Sequence, residues 1–145
     1  MKYTIEKTIN KPLHEVVAKF DNPDNMDKWM DGLKSYEHIS GTPGEEGAKA
    51  KLVFNMNNRE IEMIETITRR NLPDEFSSIY VANGVVNKNT NRFQKISENK
   101  TKYISEQEFQ LKGFMRLMGW FMPGSFKKQT ARYMDSFKNF VESTN

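Results

Sequence analysis

The sequence predicts an α+β fold: a seven-stranded antiparallel sheet followed by one long C-terminal helix. Three observations carry this. Between residues 33 and 112, stretches of alternating apolar and polar residues follow one another at intervals too short for crossover helices, so neighbouring strands must be antiparallel. Near the C-terminus, Phe126, Thr130, Tyr133, Met134, Phe137, Phe140 and Val141 fall at i, i+4, i+7, i+8, i+11, i+14 and i+15, one buried stripe on a helix. Two short helical stretches separate the first strand from the others.

Composition narrows the class. At 145 residues the chain has the size of one domain and can bury roughly 68–70% of its unfolded surface. It has no cysteine, which excludes disulfides, zinc–thiolate centres and thiol nucleophiles. The net charge is +3, but its 22 basic residues are dispersed among 19 acidic ones, the pattern of a solvated mixed surface rather than a nucleic-acid footprint. The first residues hold no apolar run of signal-peptide length, and no stretch reaches the ~20 apolar residues that span a bilayer. A soluble, cytoplasmic protein is the expectation.

Each element has its own warrant. Residues 2–10 alternate Tyr3, Ile5, Lys7 and Ile9 against Thr4, Glu6 and Thr8, the period of a half-buried strand. Pro12 suits the first turn of a helix, where its missing N–H costs nothing. Leu13, Val16, Val17 and Phe20 make that helix's buried stripe, and it ends before Pro23. A second short helix at 24–31 carries Met26, Trp29 and Met30, with Gly32 placed to stop it. Strand two covers 33–40 and closes in the glycine-rich turn 41–47. Strand three, 48–56, sets Ala50, Leu52, Phe54 and Met56 against Lys49, Lys51, Val53 and Asn55. Asn57 and Asn58 turn it tightly. Strand four, 59–69, shifts its apolar phase between Met63 and Ile64, which marks a bulge or a strand buried on both faces. After the turn 71–74, strand five (75–83) places Phe76, Ser78, Tyr80 and Ala82 on one face. Strand six (85–97) is the least apolar, with Asn87, Asn89, Asn91 and Phe93 sharing a side. Strand seven (101–112) turns Tyr103, Ser105, Gln107, Phe109 and Leu111 inward against Lys102, Glu106, Glu108 and Lys112.

This order of elements resembles the helix-grip fold of the START and Bet v 1-like (SRPBCC) superfamily. Ile9, Pro12 and Val16 look like that superfamily's opening, Trp29 like the tryptophan that closes its second helix, Gly44 and Gly47 like the turn after strand two, and Leu72-Pro73 like the turn between strands four and five. The resemblance covers nearly the whole chain and is nearest to small bacterial polyketide cyclase/dehydrase-like proteins. It implies a curved sheet wrapped round the long helix, with an apolar or amphipathic ligand held between them. Three functions follow from it: ligand binding, a cyclase/dehydrase-type reaction in the same cavity, or a protein-interaction role like that of the chaperone-regulating members.

The residues themselves point to where such a function would lie. In 114–122 Met115, Met118 and Met122 recur at i, i+3 and i+7 among Phe114, Leu117, Trp120 and Phe121, apolar beyond one stripe and adaptable in shape. That segment reads as a core stripe, as a pocket wall, or, flanked by Lys112, Arg116, Lys127 and Lys128, as a surface for transient membrane contact. Pro123 would clash with the carbonyl of Gly119 inside a helix. Because Lys127 and Lys128 oppose the macrodipole of a helix starting at Ser125, one helix kinked at Pro123 is expected. The expected wall takes Leu52, Phe54, Met63, Tyr80 and Tyr103 from the strands, with Asn87 and Phe109 beside them. Met118, Phe121 and Met122 complete it from the last segment.

Polar residues on inward faces would orient a ligand. An asparagine row on a sheet is ordinarily solvated, so Asn87, Asn89 and Asn91 are expected outside as a set. Glu65 would be an acid or base if the phase of Ile61 and Met63 continued, but a bulge is expected to turn it outward. His14 and His38 are expected on the surface, and no metal-ligand spacing, phosphate loop, nucleophile elbow or cofactor motif occurs. The assembly is expected to be a monomer or a homodimer.

Overall fold

In a computed structural model, which describes residues 1–56, 58–113 and 124–144, the strands form one antiparallel sheet in the order β1-β7-β6-β5-β4-β3-β2. The strands are β1 Lys2–Ile9, β2 Leu33–Ser40, β3 Lys49–Met56, β4 Arg59–Asn71, β5 Glu75–Ala82, β6 Val85–Ser97 and β7 Lys100–Leu111. From β2 to β7 each strand pairs with its sequence neighbour, as the short connections require, and β1 closes on β7 at the far edge. The helices are α1 Leu13–Phe20, α2 Met26–Trp29 and α3 Ser125–Ser143, with a 3-10 turn at Pro23–Asn25. The expected second helix is therefore divided: Asn22 caps the turn by accepting the N–H of Asp24 at 3.0 Å, and α2 keeps four residues. Pro12 stands just outside α1, extended at ψ 148°, because a residue in that conformation delivers the chain into the first turn without belonging to it.

The alternating residues decide which face is inner. Leu52, Phe54, Phe93 and Tyr103 are buried on the side that meets the helices. The core is aromatic. Phe137 of α3 lies 5.0 Å from Trp29, 5.5 Å from Tyr103 and 5.8 Å from Phe20, ring centroid to centroid, while Phe93 and Tyr103 stack at 4.9 Å. Edge-to-face and stacked pairs at these separations add to the stability that burial supplies. Polar ties hold the ends of the elements. Lys19 donates to the carbonyl of Thr144 at 2.8 Å, a cation on the carbonyl end of α3. Arg70 clamps both carboxylate oxygens of Asp21 at 2.6 Å, fixing the end of α1 to β4.

The start of α3 corrects an expectation. The helix begins at Ser125, and Gly124 before it has a φ of 92°, a left-handed conformation that cannot lie inside a continuous right-handed helix. Lys127 and Lys128 do sit in its first turn, but both are exposed, where water screens the unfavourable dipole contact. Pro123 and residues 114–122, with Met118, Phe121, Met122 and the membrane-facing surface read from them, lie outside the described residues. Among the described residues no helix is long and apolar enough to cross a membrane.

The turn before β3 offers a simple test of its geometry. Gly41 has a φ of 79°, and a Cβ built there would stand 2.9 Å from the Cα of Ala48. Gly41→Ala is therefore expected to destabilise the protein by about 1–2 kcal/mol from the left-handed backbone alone, with the backbone clash adding to it, read as a lowered denaturation midpoint.

Candidate functional site

Strand register lines up the inner face in rows. One row runs Ala50, Glu65, Tyr80, Asn87, Phe109 across β3 to β7. The next runs Ile67, Ser78, Asn89, Gln107, Tyr3, and a third Phe76, Asn91, Ser105, Ile5. A sheet face that meets helices ordinarily buries apolar side chains. Here its centre is polar, and Glu65, Ser78, Asn91, Ser105 and Gln107 are all buried.

Most of these groups answer one another. The Tyr80 hydroxyl donates to Oε2 of Glu65 at 2.5 Å. Asn87 Nδ2 donates to Gln107 Oε1 at 2.9 Å, and Gln107 Nε2 donates to the Ser105 hydroxyl at 2.7 Å. Tyr103 donates to Asn91 Oδ1 at 3.1 Å, and Asn91 Nδ2 donates to Asn89 Oδ1 at 3.0 Å. The Ser78 hydroxyl, in a residue 3% exposed, has no partner among the described residues. A buried polar group left unmatched costs free energy, so a row with spare capacity has a reason other than stability.

Burial sets the electrostatics. Glu65, 6% exposed, has its pKa raised by loss of solvent, and the hydrogen bond from Tyr80 only partly opposes this. The Tyr80 hydroxyl is pushed well above its ordinary value, first by burial and then by the negative charge of Glu65, although the residue as a whole is half-buried. Burial also raises Tyr103, and burial followed by the charge of Glu65 raises Tyr36. The pair Glu65–Tyr80 thus holds a carboxyl that keeps its proton to higher pH than a surface glutamate does.

Two expectations are corrected here. Glu65 points inward, because β3 and β4 pair without a register shift from Lys49 to Met56; the irregularity in β4 lies later, between Ile67 and Arg69. The asparagines also face inward, Asn91 buried and Asn87 and Asn89 half-buried, since their partners Tyr80, Ser78 and Phe76 share the helix-facing side. His14 and His38 are exposed.

Of the expected wall, Leu52, Phe54 and Tyr103 are buried, and Met63, Tyr80, Asn87 and Phe109 are half-buried on the same face. They divide into two neighbourhoods. Leu52 and Phe54 cluster with Met63, Tyr80 and Tyr133, whereas Phe109 stacks on Tyr3 at 6.0 Å and on Phe126 of α3 at 4.5 Å. Tyr103 belongs to the aromatic core as well as to the polar network. Ser78 was not singled out from the sequence, and its only signal there is its place two residues before Tyr80. Two open hollows bounded by described residues lie away from the polar rows. One of about 270 Å³ is lined by Met26, Leu33 and Tyr36 among others, and one of about 500 Å³ lies by Ile64 and Val81 on the outer face.

Comparison of the sequence with protein-family models and with curated proteins finds no match. Comparison of the structure does. A conserved protein from Geobacillus kaustophilus superposes with a TM-score of 0.82 at 15% identity, covering 99% of this chain and 96% of its own. The Zhui aromatase/cyclase from Streptomyces sp. R1128 matches at 0.80 and 7% identity, covering 98% and 93%. A norcoclaurine synthase point mutant from Thalictrum flavum, in complex with a transition-state analogue, matches at 0.72 and 14% identity, covering 99% and 94%. At such identities the likeness establishes architecture alone: this chain has the helix-grip fold.

Proposed function

We propose that the inner face of the sheet, beneath the helices, binds a small apolar or amphipathic molecule. Leu52, Phe54, Met63 and Phe109 would meet its apolar part, and the row Glu65, Tyr80, Asn87 would set the orientation of its polar end. The carrying observation is the buried polar centre of a face that otherwise forms core. A few convergent polar groups in an apolar surround are the usual form of a small-molecule site. Burial of the ligand's apolar surface supplies about 25 cal/mol per Å² of driving force. The structural relatives support this reading, since one holds a transition-state analogue in the same architecture. The expected place of action is the cytoplasm. Native mass spectrometry of protein purified from its own host is expected to show a retained small-molecule adduct. A dry, collapsed interior in an experimental structure would sink the reading.

The Glu65–Tyr80 pair favours a second function, a cyclase/dehydrase-type reaction on the bound molecule. A carboxyl kept protonated by burial can give its proton to a ligand carbonyl or departing hydroxyl, and the Tyr80 hydroxyl at 2.5 Å would steady the carboxylate left behind. If so, Glu65→Gln removes turnover and leaves binding intact; if Glu65→Gln turns over as the parent does, this second function is gone.

A further inference from the structure

The inner face carries one carboxyl and no described cation free to balance it. Glu65 is buried with Oε2 held by Tyr80, and Oε1 has no hydrogen-bond partner among the described residues. The titratable groups that face it are Tyr80 on β5, Tyr36 and His38 on β2, and Tyr133 of α3. His38 is exposed at the sheet's edge and bonded to the Gly41 carbonyl at 2.8 Å. From α2 and the residue that caps it, Met26 and Met30 turn to this end of the sheet, while Asp27 and Lys28 are exposed, as is Arg132 of α3. Lys7 lies on the inner face beside Tyr103, and Asp135 takes it up at 2.9 Å.

Among the described residues the spare hydrogen-bonding capacity of the polar rows is of both kinds. Asn89 uses its carbonyl on Asn91 and keeps its amide N–H groups. Asn87 uses its amide on Gln107 and keeps its carbonyl, and the Ser78 hydroxyl can give or accept. An anion brings acceptors alone. It would leave the Asn87 carbonyl unanswered and stand against Glu65 where low dielectric strengthens the repulsion.

We propose that this face selects ligands whose polar end is uncharged and both gives and accepts hydrogen bonds, such as a hydroxyl or amide, and turns away carboxylates, sulfonates and phosphates. The inference rests on the ligand-binding reading above and names the chemistry of what is bound.

A matched probe pair tests it: neutral N-phenylnaphthylamine and its sulfonated counterpart anilinonaphthalenesulfonate, each titrated by fluorescence into the whole protein. At mildly alkaline pH the neutral probe is expected to bind and the sulfonate to bind at least about tenfold more weakly, the least that one opposed charge in a partly dry site produces. Met63→Trp, which fills the wall, is expected to weaken the neutral probe and so locates it. Glu65→Gln is expected to raise the sulfonate's affinity relative to that of the neutral probe, so that the ratio of the two falls towards one. In the parent protein the ratio of the two affinities is expected to widen as pH rises and Glu65 loses its proton, a readout independent of any variant's folding. Equal binding of the two probes, or discrimination that survives Glu65→Gln without pH dependence, overturns the charge selection and leaves the site standing. Binding of neither probe removes the site itself and this inference with it.

Discussion

Phe137→Ala is expected to lower the free energy of unfolding by about 3–5 kcal/mol, the range for truncating a fully buried aromatic residue. Phe137 is 0% exposed and stands where the three layers of contact meet. Trp29 of α2, Phe20 of α1, and Tyr103 and Phe93 of the sheet all place rings within 6.5 Å of its centroid. Removing the ring deletes apolar burial and also leaves a cavity between helices and strands that cannot collapse onto one partner. The rotamers around it are fixed by one another, so relaxation is limited. Denaturant unfolding should show a lower midpoint with an unchanged slope. Phe140→Ala, three residues on and half-buried, should cost clearly less. If both cost the same, the ring cluster around Phe137 is not the structural centre of the core.

That cluster was legible in advance because helical periodicity alone puts Phe137 on the stripe of Tyr133, Met134, Phe140 and Val141. The strands were equally legible from their period of two. What periodicity could not settle was register and the identity of the outer face. In β4, Ile64 follows Met63, and two adjacent apolar residues look like a shift of phase. The structure shows why they are not: Ile64 pairs with Val81, and Val81 with Val86, in an apolar row on the outer face. The alternation therefore continues as far as Ile67, and Glu65 falls inside. The asparagine row departs from expectation for the complementary reason. Composition alone assigns asparagine to water, whereas pairing with Phe76, Ser78 and Tyr80 carries Asn91, Asn89 and Asn87 to the helix side. Both departures from local expectation fall in the same place, a polar patch in a core, which is where a functional site is expected to violate folding rules. The start of α3 has its sequence signal in Gly124, whereas Lys127 and Lys128, which oppose the helix dipole, argue for a helix that continues past it. Solvent exposure at Lys127 and Lys128 makes that electrostatic argument weak.

Glu65 should make the protein less stable as pH rises out of the acid range. Its ordinary pKa is 4.5, and burial raises it in the folded state. Between the two values the folded protein holds a proton that the unfolded chain has released. The unfolded state then binds fewer protons, so the free energy of unfolding falls with pH. This contribution is fully present below 4.5 and is lost as pH climbs through the folded value. Each tenfold difference between the folded and unfolded acid constants is worth about 1.4 kcal/mol. Glu142, whose burial is outweighed by hydrogen bonds from Lys138 and the Asn10 N–H, has a lowered pKa and contributes the opposite slope, stability lost as pH falls. The informative quantity is thus the difference between the parent and Glu65→Gln, measured by chemical denaturation across pH. The variant is expected to lose the falling limb and to be the more stable of the two at neutral pH. Tyr80→Phe should move the limb the other way, to higher pH, because the hydrogen bond that favours the carboxylate is gone while the burial stays. Identical pH profiles for the parent and Glu65→Gln would mean that Glu65 titrates as it does in water, and the acid role assigned to it would fall with the prediction.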